Sequence, residues 1–380
     1  MTESRSSAPV ILSGGRLGDR SRRICGCFSS GRKVKNAFST GFPAMKQNCL
    51  QKLTFLLILA AAITPSCAQQ RPVNSTSGAW LFIYFKEPGN QGIYFALSRD
   101  GYHYTPLNDG QPWVAPAQTG DAPAQRGELM RDVFLTRGPD GLFHMVWTWN
   151  WRGSSLGYAS SPDLLTWSAQ KNVPIMADFP ATNNVWAPET YWDATKKQWL
   201  LIWSSSMKDS QDGNRIWFSL TPDFETFSKP AIFFDPGYVT IDATIFHGTT
   251  GPYRLIFKEQ TYDPLTFQER VATGPTLEGP WSNISGPINE SWSEGPSAIQ
   301  VGNQYIVFYD HYRAPRARYE AVATTDWKHW QDITAQTSLP PYSKHGSFLH
   351  ITDEEAARLL ARHDAPATAP PPSTPAPHVP

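Results

Sequence analysis

The sequence predicts an all-β protein, a five-bladed β-propeller whose ring is closed by pairing of a C-terminal strand with the N-terminal strands. From residue 78 onward, short segments rich in aromatic and β-branched residues alternate with Gly, Pro, Asn and Asp turns, and helical periodicity is almost absent. A second observation is an internal repeat of roughly 50 to 60 residues, which is enough for the four short strands of one propeller blade.

The repeat consists of an apolar strand followed by a small residue, a turn and an aromatic residue. The turn segments are residues 98–104, 161–167, 221–227, 274–281 and 324–330. The apolar strands upstream of them are residues 80–84, 143–147, 199–203, 253–257 and 305–309. The outer strands of residues 80–104 come before the first acid, Asp132, and a strand near residue 345 follows the last turn segment. We therefore expect these strands to pair and so remove two sheet edges.

The first strand of each blade lines the central channel of a propeller, so residues at equivalent positions converge at one mouth of the channel. Five residues near the starts of these strands are spaced by 57, 53, 52 and 51 positions, which predicts equivalent places around the axis: Asp132, Glu189, Asp242, Glu294 and His345. A single carboxylate at a strand end usually caps the strand or binds backbone amides. Three acids, Asp132, Asp242 and Glu294, in blade register favour a shared pocket instead.

Such a group of acids suits cleavage of a glycosidic bond. One carboxylic acid protonates the leaving oxygen, and a second carboxylate activates water or attacks the anomeric carbon. A third carboxylate raises the pKa of the acid by like-charge repulsion and orients it through hydrogen bonds.

Across about residues 78 to 352, the sequence resembles family 43 of the glycoside hydrolases, five-bladed propellers that act mainly on arabinose- and xylose-containing polysaccharides. The matching motifs are Arg131-Asp132, Trp186-Ala187-Pro188-Glu189, Ile241-Asp242 and Glu294-Gly295-Pro296-Ser297. The resemblance implies that Asp132 is the general base, Asp242 modulates the pKa of the acid, and Glu294 is the general acid.

The sequence departs from the family pattern at two places. Val133 follows the base where the family usually has proline, and Ala243 follows the modulator where proline or glycine is common. Both departures bear on subfamily and substrate more than on the chemistry, because both acids are retained.

The resemblance also implies hydrolysis with inversion by an exo-acting enzyme that releases terminal α-L-arabinofuranose. The alternatives are a β-xylosidase, a galactofuranosidase or galactanase on the same scaffold, and a carbohydrate-binding propeller without catalysis.

Five further side chains are predicted to contact the sugar: Glu189, Trp186, Arg131, Trp292 and His345. His345 resembles the fifth-blade histidine near which some family members hold calcium, and the more common alternative is a hydrogen-bonded core histidine. No cofactor is required for the predicted chemistry, and a structural Ca²⁺ is the one ion the resemblance suggests.

Composition and the flanking segments set the domain organisation. Residues 1–44 are interpreted as an upstream extension or misplaced start, 45–68 as a signal peptide, 71–362 as the propeller, and 363–380 as a Pro-rich disordered tail. The protein is then secreted or periplasmic, or alternatively a lipoprotein anchored at Cys67. All four cysteines lie before residue 69, so the predicted domain has no disulfide.

The formal net charge is zero, which gives no electrostatic case for nucleic-acid binding. The expected partner is the oligosaccharide or polysaccharide substrate that the resemblance implies, and the protein is expected to be a monomer. Residues 352–360 predict a short capped helix outside the ring.

Overall fold

The computed structural model describes residues 77–117, 129–208, 210 and 213–363. These lie in one compact unit, and within them nineteen strands form five small antiparallel sheets. The predicted upstream extension, signal peptide, lipid-attachment residue Cys67 and Pro-rich tail lie outside the described residues. Their assignments stay predictions, as do the outer boundaries of the domain.

Within each of blades 1 to 4, neighbouring strands of the sheet are consecutive in the chain. The chain begins with β1 (Ala79–Phe85), β2 (Tyr94–Ser98) and β3 (Thr105–Pro106). Blade 1 contains β4 (Arg131–Arg137), β5 (Phe143–Thr148), β6 (Leu156–Ser161) and β7 (Lys171–Val173). Blade 2 contains β8 (Trp186–Asp193), β9 (Gln198–Ser205), β10 (Arg215–Thr221) and β11 (Ala231–Phe234).

Blade 3 is one strand short. It contains β12 (Thr240–Phe246), β13 (Tyr253–Glu259) and β14 (Gln268–Gly274), and a single bridge between Thr273 and Ser282 replaces the fourth strand. Blade 4 contains β15 (Ser293–Val301), β16 (Gln304–His311), β17 (Arg318–Thr324) and β18 (Gln331–Asp332). Short 3₁₀ turns at Asn108–Gly110 and Thr334–Gln336 complete the connections.

The last strand, β19 (Lys344–Ile351), pairs antiparallel with β1, and the resulting sheet, blade 5, has the order β19-β1-β2-β3. The first strand of each blade, the inner strand, is therefore β4, β8, β12, β15 or β19. Each inner strand contacts the next one in this order, and β19 contacts β4, so the five sheets form a closed ring. The predicted five-bladed β-propeller and its mode of closure are confirmed.

The hydrophobic core is divided into five clusters, each between two neighbouring blades. Blades 5 and 1 share the first cluster, blades 4 and 5 the second, and the other three lie between blades 1 and 2, 2 and 3, and 3 and 4. Each sheet is thus buried on both faces, which explains why the second strands are apolar without alternation. In β5, for example, all six residues are buried.

The repeated turn has one hydrogen-bonding scheme in four of the five blades. In blade 1, the Ser161 hydroxyl accepts a hydrogen bond from Leu164 N. The Asp163 carboxylate accepts hydrogen bonds from the backbone N–H groups of Leu165 and Thr166. The third residue after the Ser or Thr has a positive φ in each: Gly101, Leu164, Phe224 and Trp327. The repeat found in the sequence is therefore a turn that the side chains of Ser or Thr and Asp stabilise locally.

A single α-helix, α1 (Asp353–His363), follows the ring in the described residues. Its first turn is a capping box, because Glu355 N donates to the Thr352 hydroxyl and Thr352 N donates to the Glu355 carboxylate. Ala356 and Leu359 pack into the cluster between blades 5 and 1, so the helix covers the closure of the ring. No helix among the described residues has the length and apolar character needed to cross a bilayer.

We expect Phe82→Ala to test the closure of the ring. Phe82 is fully buried in β1, and its ring stacks on Phe348 of β19 with centroids 4.6 Å apart. Truncation of a buried phenylalanine lowers the free energy of unfolding by about 3–5 kcal/mol. Urea denaturation measures this change, and Tyr342→Ala, at a residue 84% exposed, is the matched control that leaves stability nearly unchanged. A loss no larger than that of the control would contradict the closure.

Candidate active site

Every inner strand carries a β-bulge at the same place. In blade 1, Arg131 pairs with Thr148 and Phe134 pairs with Val146, so three steps along β4 match two along β5. The other four inner strands repeat this pattern. We call the residue that follows the last paired residue before this register shift the bulge residue. The five bulge residues are Asp132, Ala187, Asp242, Gly295 and His345.

This register corrects the alignment expected from spacing. Glu294 lies one residue before its bulge residue, level with Arg131 and Lys344, and Glu189 lies two residues after Ala187. The five residues predicted to be equivalent therefore occupy three successive levels of the ring. The bulge is the same in all five strands, so it is not the cause. The segments that connect successive bulge residues differ in length, and nearly equal spacing therefore does not mark equivalent positions.

Four of the bulge residues have a left-handed backbone. The φ angles are 49° at Asp132, 47° at Ala187, 53° at Asp242 and 63° at Gly295. Residues other than glycine rarely adopt this conformation, and it is retained where the surrounding structure imposes it, often at functional sites.

Asp132 is held in place by blade 1 itself. The Thr148 hydroxyl donates a hydrogen bond of 2.7 Å to Asp132 Oδ2, and the same hydroxyl accepts one of 2.8 Å from Ala187 N of blade 2. His345 Nδ1 lies 3.5 Å from the other carboxylate oxygen of Asp132. One carboxylate edge is thus fixed while the side chain remains 14% exposed.

Asp242 is the most buried of the three acids, with its side chain 8% exposed. Its Oδ2 accepts a hydrogen bond of 3.3 Å from Gly295 N and lies 3.8 Å from His345 Nδ1. Burial raises the pKa of Asp242 to about 6, His345 opposes this rise, and the negative charge of Glu294 reinforces it. Asp132 and Asp242 therefore both approach the imidazole of His345.

Glu294 is the most exposed of the three acids, at 30% of its side chain, and it forms an ion pair with Lys258. Lys258 Nζ lies 3.1 Å from Glu294 Oε2. Burial acts to raise the pKa of Glu294, but the Lys258 ammonium outweighs it, with help from Lys344 and His345, so the pKa is lowered. This is opposite to the raised pKa expected from like-charge repulsion alone.

Sequence reasoning missed Lys258, although a signal was present. A lysine follows the apolar run of residues 253–257 directly, and the structure buries it to 3% exposure of its side chain. A charged residue at the end of a buried strand usually needs a partner. Here that partner belongs to the next blade.

Lys258 is one example of a contact that recurs around the ring. It pairs with the residue before the bulge, and the equivalent residues of the other second strands are Phe85, Thr148, Ser204 and Asp310. Each reaches the inner strand of the following blade. The contacts are Phe85 with Arg131, Thr148 with Ala187, Ser204 with Asp242, Lys258 with Glu294, and Asp310 with Lys344.

Arg131 and Trp186 lie on one side of the site, and both contact Trp151. The Arg131 guanidinium binds Glu87 at 2.6 Å and lies over the ring of Trp151 at 4.1 Å. Trp186 Nε1 donates to the carbonyl oxygen of Trp151, whose side chain is 52% exposed. Arg131 is thus fixed by Glu87 and by the rings of Phe85 and Trp151. Trp151, which is not among the predicted sugar contacts, is the solvent-exposed aromatic residue beside Arg131.

Trp292 contributes a second aromatic group next to Glu294. Its ring packs edge-on against Phe267 and Tyr312, and the Arg313 guanidinium lies 4.4 Å from its centroid. The Tyr312 hydroxyl in turn accepts a hydrogen bond of 3.4 Å from Lys258 Nζ. The predicted sugar contact of Trp292 stays a prediction.

Glu189 lies deeper than the sequence suggested. Its carboxyl group is buried and accepts a hydrogen bond from the Tyr191 hydroxyl, which itself accepts one from Ile245 N of blade 3. Burial raises the pKa of Glu189 to about 8, despite the hydrogen bond from Tyr191. These contacts favour a structural role at the interface of blades 2 and 3, and contact of Glu189 with sugar stays a prediction.

His345 fits closely against Gly295. A Cβ atom on Gly295 would lie 2.4 Å from the imidazole ring, so only glycine allows His345 to reach Asp132 and Asp242. For calcium, which prefers six to eight oxygen ligands, the site offers few donors. No group of three His, Cys, Asp or Glu side chains suited to a metal occurs in the part of the chain that the structure describes, so bound calcium stays a prediction.

Two open cavities lie elsewhere, between blades 3 and 4, with volumes of about 260 and 440 Å³. Both are lined by Arg254 and Trp327, and neither contains a predicted site residue. Arg254 pairs with Phe246 at the end of β12 remote from Asp242, so these cavities are at the other end of that blade. The acids on the axis remain the candidate site.

Comparison with known proteins identifies the family to which the chain belongs. Residues 76–357 match the sequence model of a family described as a probable glycosyl hydrolase domain, related to glycoside hydrolase family 43. An α-L-arabinofuranosidase from Bifidobacterium longum is 24% identical over 361 residues, covering 71% of this chain and 33% of that protein. The chain therefore spans about a third of the length of this curated relative.

Solved structures overlap with about half of the chain. A thermostable family-43 glycoside hydrolase has 15% identity and a TM-score of 0.45, covering 56% of this chain and 74% of that chain. An α-L-arabinofuranosidase from Lactobacillus brevis has 13% identity and a TM-score of 0.44, covering 53% and 72%. On the match to residues 76–357, the chain belongs to the family of probable glycosyl hydrolase domains related to glycoside hydrolase family 43.

Proposed function

We propose that this domain is an exo-acting, inverting glycoside hydrolase that releases terminal α-L-arabinofuranose from an oligosaccharide or polysaccharide. The observation that carries the proposal is the proximity of three acids from blades 1, 3 and 4. Asp132 and Asp242 both approach His345 Nδ1, and Asp242 accepts a hydrogen bond from the backbone N–H of Gly295, the residue after Glu294. A propeller with a purely structural role has no need for three acids on strained or exposed positions at its axis.

The exposures of the three acids suit different roles. Asp242, the least exposed, is placed to act through its neighbours, whereas Asp132 and Glu294 are accessible from the channel. In the proposed reaction, Asp132 accepts a proton from water as the water attacks the anomeric carbon, and Glu294 donates a proton to the leaving oxygen. Thr148 orients Asp132 by its hydrogen bond to Oδ2, and Oδ1, which lies 3.5 Å from His345 Nδ1, is the oxygen that accepts the proton from water.

The choice of arabinofuranose rests on the curated relative named α-L-arabinofuranosidase. The alternatives are β-xylose, galactofuranose and β-linked galactan, and they share the same acid and base. Aromatic side chains beside the acids, Trp151, Trp186 and Trp292, supply flat apolar surfaces of the kind that sugar rings bind.

We expect the purified chain to release sugar from an aryl α-L-arabinofuranoside, and Glu294→Gln to abolish cleavage of natural linkages. Loss of a general acid costs about 10²–10⁴-fold in rate when the leaving group is poor. Cleavage of an aryl glycoside with an activated leaving group should fall much less, because that group departs without protonation. Steady-state kinetics on both substrates, with β-xyloside and β-galactofuranoside in parallel, measure the difference.

Glu290→Gln is the matched control, since Glu290 is 74% exposed and pairs with Arg316 at the surface. Equal losses on both kinds of leaving group in Glu294→Gln would contradict the assignment of the acid. Binding of oligosaccharides without release of sugar from any substrate would favour the non-catalytic alternative.

We expect the first product to have the anomeric configuration opposite to that of the substrate. Single displacement by water activated at Asp132 inverts the anomeric carbon once, so an α-L-arabinofuranoside yields the β anomer first. Proton NMR during the first minutes of hydrolysis, before mutarotation, distinguishes the two anomers. Retention of configuration would show that a carboxylate attacks the sugar and would exclude the water-activating role of Asp132.

A further inference from the structure

Lys258 is a buried cation in direct contact with the proposed acid. Its side chain is 3% exposed, and its ammonium contacts Glu294 Oε2 at 3.1 Å and the Tyr312 hydroxyl at 3.4 Å. The ring centroids of Tyr312 and Phe267 lie 4.7 and 5.4 Å from Nζ. A buried ammonium is costly unless it is paired, so the ion pair with Glu294 is a strong constraint on both groups.

Comparison of equivalent positions shows that this contact does more than join two blades. At the same place in blades 1 and 2, the hydroxyls of Thr148 and Ser204 accept hydrogen bonds from the inner strand of the next blade. A neutral side chain therefore suffices to join neighbouring blades there. The charge of Lys258 acts on the acid that only blade 4 carries at this level.

A second acid lies behind the ammonium. Glu269 is the cross-strand neighbour of Lys258 on β14, and it is fully buried. Among the described residues, neither of its carboxyl oxygens makes a well-formed hydrogen bond, and only a weaker contact with the Ser293 hydroxyl is present. Burial raises the pKa of Glu269 to about 8, although Lys258 opposes the rise. Glu269 is therefore mostly neutral at pH 7 and leaves the ammonium to Glu294.

We propose that Lys258 is a positioning residue for the acid: its buried ammonium, 3.1 Å from Glu294 Oε2, fixes the orientation of the Glu294 carboxyl, and Glu269 lies opposite Lys258 on the neighbouring strand. This inference rests on the proposed role of Glu294. Lys258 of blade 3 would then control the pH range in which Glu294 of blade 4 donates a proton.

Several charged or titratable groups face Glu294 from the elements around it. They are Lys258 and Glu269 of blade 3, Asp242 of β12, Asp310 of β16, Tyr312 after β16, Tyr319 of β17, Lys344 and His345 of β19, and Arg131 of β4. Lys258 is the only cation among them with a direct contact to the Glu294 carboxylate in the described residues. Its removal is therefore the change that acts most directly on the acid.

We expect Lys258→Met to move the alkaline limit of kcat/KM to higher pH. The ammonium lowers the pKa of Glu294, so without it the protonated acid persists to higher pH, and an opposite charge at this range shifts a pKa by about 1–3 units. The alkaline limb of kcat/KM reports the acid of the free enzyme. The kcat for a poor leaving group should fall relative to an activated one, because the carboxyl loses its fixed orientation.

Two variants serve as controls. Lys258→Arg retains the positive charge and should keep the alkaline limit near that of the wild type. If Lys258 acted only through the packing of its methylene chain, the limit would not depend on whether the charge is retained. Lys171→Met removes a lysine that pairs with Glu225 at the surface, and it should leave the limit unchanged. An unchanged limit in folded Lys258→Met would overturn the proposal.

Glu269→Gln tests the neutral acid behind Lys258. The amide replaces a neutral carboxylic acid of the same shape, so the alkaline limit should stay at the wild-type pH. A limit that moves to lower pH would show that Glu269 is ionised and shares the ammonium, which would overturn its assigned state.

A titration without substrate separates this inference from the proposed function. Infrared difference spectra between the wild type and Glu294→Gln follow the carboxyl band of Glu294 in the free protein. A midpoint below that of an ordinary glutamate supports the ion pair even if no glycoside is cleaved, and a midpoint at or above it overturns the inference even in an active enzyme. This measurement does not depend on the folding of Lys258→Met.

Discussion

The bulge in each inner strand is the constraint on which the site depends. It turns one residue per blade toward the axis, and at four of the five positions it does so with a left-handed backbone. Contacts from the preceding blade hold this conformation, as Ser204 does for Asp242 through its backbone N–H. The acids are thus oriented by the joints between blades, and a change at one joint alters the site of the neighbouring blade.

The same geometry explains why the five positions differ chemically. Gly295 is required where the His345 imidazole packs against the backbone of β15, so blade 4 has no side chain at its bulge residue. Its acid, Glu294, comes one level earlier and meets Lys258 instead of the imidazole. The three carboxyl groups therefore have three electrostatic environments: one in contact with a hydroxyl and a histidine, one deeply buried, and one paired with an ammonium.

Much of the fold was predictable because it follows from local patterns. The Ser or Thr and Asp turns, the apolar second strands and the capping box at Thr352 are short-range features, and each appeared in the structure at its expected place. The level of Glu294 and the burial of Glu189 were not predictable, because connections of unequal length between blades give nearly equal spacing to residues at different levels. Lys258 was missed because its partner is 36 residues away in another blade.

Closure of the ring by β19 has a consequence for the newly made chain. The three acids leave the ribosome before Lys344 and His345, so the site is incomplete until the last strand is synthesised. Until then β1 has an unpaired edge, which is a template for strand addition by other chains. The eight-residue strand β19 thus completes both the proposed site and the pairing of β1.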